Sequence, residues 1–183
     1  MKTTINLCIA VLLMSPSETQ KLDYPKAKVS YSDFEELVKE VKSHREERLL
    51  SLSQFMDKCN EDNVIILDTR SKEMFDKKHI EGALHLNFSD FSVSNLAKII
   101  PNKKTTILIY CNNNFNGDEI HFMSKTVRLP PSEEEKKKTR SLALNVPTYI
   151  NLYGYGYENI YELDELISFF DQSIKYEGTS LNQ

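Results

Sequence analysis

The sequence predicts an α/β fold built on a parallel sheet, and three observations carry that prediction. Strand-like and helix-like patterns alternate along the chain. Asn63-Val64-Ile65-Ile66-Leu67-Asp68 is a continuous apolar run, as in strands covered on both faces. Thr106-Ile107-Leu108-Ile109-Tyr110-Cys111 is a second such run, and the Asn- and Gly-rich residues after it cannot extend it. Cys111 therefore stands where a strand hands over to a loop. In open α/β sheets that carboxyl end is where ligands bind, which makes this cysteine a candidate nucleophile.

The elements follow in order. Lys2 precedes an apolar stretch from Ile5 to Met14, and Ser15-Pro16-Ser17 supplies small residues after it. This is the layout of a secretory signal peptide over 1–17, too short to span a membrane. It predicts export to a bacterial periplasm or beyond, with no membrane span in the mature chain. The alternative is a buried N-terminal segment. Residues 18–30 are polar and proline-containing and read as a linker, and 18–48 together hold the linker and one helix. In that helix Ser32-Asp33-Phe34-Glu35 matches a capping box, with Phe34, Leu37, Val38 and Val41 as an apolar stripe running to about His44.

A short strand at Arg48 to Ser51 and a short helix at Ser53 to Asn60 precede the Val64 strand. Ser71 to Lys77 is a helical turn, Ala83 to Leu86 a strand, and Ser94 to Ile100 a helix stopped by Pro101. Beyond Cys111 the chain stays polar to Asn145. Ser132-Glu133-Glu134-Glu135 repeats the capping-box pattern, and Glu133/Lys137 and Glu134/Lys138 are i,i+4 pairs of a solvated helix. Pro147 suits the first turn of a helix ending at Tyr153. Asn159 to Leu163 is the last strand, and Asp164 caps a final amphipathic helix carrying Leu166, Ile167, Phe169, Phe170 and Ile174.

Composition narrows the function classes. The 183 residues are 40% hydrophobic and 27% charged with a net charge of −4, and no basic stripe marks a nucleic-acid partner. If export holds, only Cys59 and Cys111 remain in the mature chain, too few for a disulfide framework. Cys59 reads as a small buried hydrophobe. His79, His85, His121 and Cys111 lack regular ligand spacing, so neither a metal nor another cofactor is expected.

Val64-Ile65-Ile66-Leu67-Asp68-Thr69-Arg70, then Phe75, then His79-Ile80-Glu81-Gly82-Ala83-Leu84-His85, resembles the rhodanese homology domain. So does Gly156-Tyr157-Glu158-Asn159-Ile160-Tyr161-Glu162-Leu163 near the end. The resemblance places a rhodanese-like domain at about 49–177, with a tail at 178–183. It implies a five-stranded parallel sheet flanked by helices, and a cysteine that carries sulfane sulfur as a persulfide. It also implies that Asp68 supports neighbouring loops and that Arg70 lies near the cysteine loop. Four features depart from the pattern. Gly117 stands six residues after Cys111, where an arginine is usual; an insertion occupies about 117–145; Glu165-Leu166 replaces Gly-Gly; and the N-terminal helix is additional.

The chemistry expected at Cys111 is that of a thiolate nucleophile. Asn112, Asn113, Asn114, Phe115, Asn116 and Gly117 form the candidate anion-binding loop. Asn tolerates left-handed backbone, so consecutive amides can turn toward one centre and lower the thiol pKa. Arg70 either adds positive charge to that pocket or serves a structural salt bridge. Asp68 and His79 are expected to be structural. Lys125, Arg128 and Arg140 of the insertion are candidates to replace the missing arginine. A sulfurtransferase or persulfide carrier, taking sulfur from a small sulfur-containing anion and passing it to an acceptor thiol, is one function these residues support. A catalytically inactive module that uses the insertion for a protein partner or small anion is the other. A phosphatase of the related type needs an arginine where Gly117 stands.

Overall fold

The computed structural model describes residues 23–128 and 139–182. Residues 1–30 and 31–183 separate into two compact units. In the first, residues 23–30 are exposed and carry no helix or strand. The predicted signal peptide and the Ser132 capping box lie outside the described residues.

The second unit begins with α1 (Tyr31–Glu46), followed by β1 (Leu49–Leu50), α2 (Leu52–Cys59), β2 (Val64–Asp68) and α3 (Lys72–Lys77). Next come β3 (His79–Ile80), β4 (Leu84–His85), α4 (Val93–Ile99) and β5 (Thr106–Tyr110). Beyond Cys111 lie β6 (Phe115–Asn116), β7 (Thr126–Arg128), β8 (Thr139–Ser141), α5 (Asn145–Gly154), β9 (Ile160–Leu163), β10 (Ile167–Ser168) and β11 (Tyr176–Glu177). Serines at 51, 71 and 92 accept the N–H groups of Gln54, Met74 and Asn95 and so cap α2, α3 and α4.

β1, β9, β5, β2 and β4 form, in that order, a five-stranded parallel sheet with β5 at its centre. Alternation along β5 sends Ile107 and Ile109 to a core shared with Val41 of α1, Leu96 of α4, Tyr149 and Leu152 of α5, and Ile160. Leu108 and Tyr110 join Phe55, Ile80, Phe115, Phe122, Leu163, Ile167 and Ile174 on the opposite side. A sheet covered on both faces in this way accounts for the unbroken apolar runs at 64–67 and 107–110.

α1 is seated by its Leu37–Val41–His44–Arg45 side. Tyr149 Oη lies 2.9 Å from His44 Nδ1, and Tyr153 donates to Glu40 at 3.1 Å. Gly154 passes so close that a Cβ there would stand 2.9 Å from Leu37.

Two expectations are corrected. Residues 164–174 are not helical: β10 pairs in parallel with β6, and β11 pairs antiparallel with β3. The apolar spacing that suggests a helix buries Ile167 and Ile174 but leaves Leu166 and Phe170 exposed. Ser168 Oγ takes the Phe170 N–H and Asp171 Oδ1 the Ser173 N–H, local bonds that compete with a helix. The insertion also contains strands the sequence pattern does not announce, since β7 and β8 pair antiparallel. In the last segment Gly178 (φ +137°) crosses the chain so tightly that a Cβ would stand 2.4 Å from the Lys77 carbonyl oxygen.

Candidate active site

Cys111 extends β5 by one residue in extended conformation (φ −146°, ψ −174°). The chain then turns through a 3-10 segment, Asn112–Asn114, before β6. That turn is held by its own side chains. Asn114 Oδ1 accepts the Cys111 N–H at 2.9 Å and Asn145 Nδ2 at 3.1 Å, while Asn114 Nδ2 donates to the carbonyls of Leu163 at 2.7 Å and Glu165 at 3.2 Å. Asn114 thus ties the cysteine loop to β9 and α5. Asn113 faces the insertion: its Oδ1 accepts the Lys125 N–H at 2.7 Å, and its Nδ2 donates to Ser141 at 3.1 Å and Thr126 at 3.3 Å.

Cys111 is 2% exposed, and its sulfur accepts the Asn113 N–H at 3.3 Å. Burial pushes the Cys111 thiol above its ordinary value; the backbone amides of Asn113, Asn145 and Leu144 pull it down, and Glu162 pushes it up further. The expectation that loop amides ending at a helix N-terminus lower this pKa is corrected in its direction. The helping donors come from the loop and from the start of α5, as expected, but desolvation outweighs them. A cavity of about 20 Å³ opens beside the sulfur, lined by Arg70, Cys111, Asn112, Lys125 and Leu144. That is room for one water molecule.

The other candidate residues sort by position. Phe115 points into the core, with its ring 4.4 Å from that of Phe122. Asn116 is exposed, and Gly117 (φ +99°) turns the chain toward Phe169 and Phe170. Lys125 reaches the cavity rim, whereas Arg128 and Arg140 are exposed on β7 and β8. Arg70 borders the cavity with most of its fork engaged. Nη2 bonds Asp68 Oδ2 at 2.6 Å and the Lys78 carbonyl at 2.7 Å, Nε lies 3.0 Å from Asp68 Oδ2, and Nη1 bonds the His121 carbonyl at 3.0 Å. Asp68, fully buried, also receives the Tyr110 hydroxyl at 2.5 Å. His79 bridges the Phe75 carbonyl at 2.6 Å and Glu177 Oε1 at 3.0 Å, which places it under β11 and away from the sulfur's cavity.

Sequence reasoning did not single out Asn145, Leu144, Lys78, Asp118 or Glu162. Lys78 pairs with Asp118 at 2.8 Å with both side chains buried, and Asp118 also holds His121 Nδ1 at 2.8 Å. Glu162 offered a signal, being the one carboxylate inside the apolar strand Ile160–Leu163. Arg45 of α1 grips it at 2.5 and 2.7 Å.

A cysteine at the carboxyl end of the central strand of a five-stranded parallel sheet defines the class. The sequence pattern of the Rhodanese-like domain family matches residues 51–165, more than half of the chain, and the chain belongs to that family. Among solved structures it is similar to the Alr3790 protein from Anabaena sp., at 19% identity over 71% of this chain and 82% of that one, with a TM-score of 0.43. It is similar to the BH2092 protein from Bacillus halodurans at 12% identity, over 81% and 86% of the two chains, with a TM-score of 0.43. A rhodanese with anions from E. coli matches at 15% identity, over 63% of this chain and 99% of that one, with a TM-score of 0.38. No curated protein matches. Among the described residues no helix is long and apolar enough to cross a membrane.

Proposed function

We propose that the chain is a rhodanese-like sulfurtransferase or persulfide carrier that accepts sulfane sulfur on Cys111. Support comes from one observation: the sulfur stands at the carboxyl end of β5 with the Asn113 N–H on it and the first amides of α5 beside it. Those are the donors that a thiolate or a persulfide anion needs. The cavity beside the sulfur, lined in part by Lys125 and Leu144, holds only a water, so on this reading its lining opens to admit a sulfur donor.

The proton of Cys111 passes to solvent, and the thiolate attacks the outer sulfur of a donor such as thiosulfate. A new S–S bond forms, the donor's S–S bond breaks, and sulfite leaves with the electron pair. An acceptor thiolate then takes the outer sulfur, and Cys111 departs as thiolate. The burial of Cys111 favours a second reading, a rhodanese-fold binding module without catalysis.

Incubation with thiosulfate or a small-molecule persulfide, followed by site-mapped mass spectrometry, decides between them. The expected result is one added sulfur atom on Cys111, lost in Cys111→Ser. A folded chain that gains none from either donor is the binding module. Export is part of the same proposal, and N-terminal sequencing of the mature chain from cell fractions tests it.

A further inference from the structure

Cys111 and Glu162 share one face of the sheet. Ile107 and Ile109 point to the α1/α5 side, and Cys111 is the next residue of that set on the extended chain. On the neighbouring strand Ile109 lies opposite Glu162, and Ile160 points to the same core. Cys111 is thus the diagonal neighbour of Glu162, about 8 Å away between α-carbons for a strand spacing of about 4.8 Å and a two-residue rise of about 6.6 Å. Glu162 is 3% exposed, so little solvent screens its charge. What faces it is Arg45, whose Nε lies 2.5 Å from Oε2 and Nη2 2.7 Å from Oε1, a bidentate grip delivered from α1. The other charged or titratable groups around the pair are Arg48, Asp164, Tyr149 and Tyr161, with His44 on the Tyr149 hydroxyl. Arg70 and Lys125 line the cavity beside Cys111 and also bear on its charge. A buried ion pair adds little net stability where an apolar residue would pack, so the carboxylate is not explained by the core alone.

We propose that Arg45 and Glu162 are positioning residues for the chemistry of Cys111: Glu162 places a negative charge beside the sulfur, and Arg45 offsets it only while α1 is docked. The N-terminal helix, an addition to the minimal domain, thereby sets how readily the sulfur carries charge. This rests on Cys111 being the reacting group. It adds that acidity at the carboxyl end of the sheet is controlled by a helix outside the family-matched segment.

The test is an ultraviolet absorbance titration of thiolate in the full chain, each variant being compared with its own Cys111→Ser counterpart to remove Cys59 and tyrosine signals. Near-ultraviolet circular dichroism follows folding over the same range. Glu162→Gln is expected to lower the Cys111 midpoint by about one pH unit, about tenfold more thiolate at a pH below both midpoints. Arg45→Met is expected to raise it, Arg45→Lys to leave it near the parent, and the double variant Arg45→Met/Glu162→Gln to return toward the parent. A purely structural pair would move both single variants the same way by loosening the site. Shifts of the same sign, or an unmoved midpoint in Glu162→Gln, overturn the proposal. Should Arg45→Met fail to fold, Glu162→Gln against Arg45→Lys still decides. No sulfur donor enters the measurement, so a chain that never forms a persulfide still tests it.

Discussion

Residues 111–115 and the arms at 124–128 and 139–142 are in contact through Asn113, yet the first are buried or half-buried and the second exposed throughout. The loop is anchored by Asn114 to β9 and α5, with the Phe115 ring against Tyr110 and Phe122. The arms β7 and β8 pair chiefly with each other. The loop therefore holds the geometry of the sulfur, while the arms, with few apolar contacts, are drawn from the least stable part of the domain. Acidity and access at Cys111 are assigned to different pieces of chain.

The hardest test of that division is Asn114→Ala. It strands the Cys111 N–H and the Leu163 carbonyl in the interior, and denaturant unfolding should show a loss of about 3 kcal/mol. A loss within a few tenths of that of an exposed asparagine would mean the loop is no more anchored than the arms.

A milder test uses pH. Burial pushes the Cys59 thiol up to about 11 and raises that of Cys111, so the folded chain keeps protons that the unfolded chain releases. The stability from these thiols is fully present below the ordinary thiol pKa. It is lost as pH climbs toward about 11. Thermal unfolding between neutral pH and pH 11 should show this decline, with a shallower slope in Cys59→Ala. An identical slope in that variant would remove Cys59 from the account.

The smallest effect on stability is expected from Asn113→Ala, under about 1 kcal/mol, because its side-chain partners are exposed. Its effect on access should be the larger one. Iodoacetamide labelling of Cys111 at fixed pH should quicken several-fold as the arms detach. Unchanged labelling would mean the arms do not cover the sulfur.

The parallel sheet was legible because β2 and β5, buried on both faces, cannot alternate and so read as apolar runs. Cys111 was legible for the same reason, as the residue at which the run stops. The segment after β9 was misread because spacing at Leu166, Ile167, Phe169, Phe170 and Ile174 suits a helix. Only the tertiary offer of β6 and β3 as strand partners decides otherwise. Asn114 was legible as part of a polar loop, but not as its anchor, since its partners stand 49 and 31 residues away. Arg45 and Glu162, 117 residues apart, could be joined only by the register of β9 beside β5 and the docking of α1.

Gly178 gives the far end of the chain a lever on the sulfur. Because its bare α-carbon lies against the Lys77 carbonyl, a single added methyl group would prise the tail from β3. Tyr176 would then withdraw from the rings of Phe115 and Phe122 on which the cysteine loop rests. A change more than sixty positions downstream would be felt at Cys111 through aromatic packing alone, with no residue of the pocket altered.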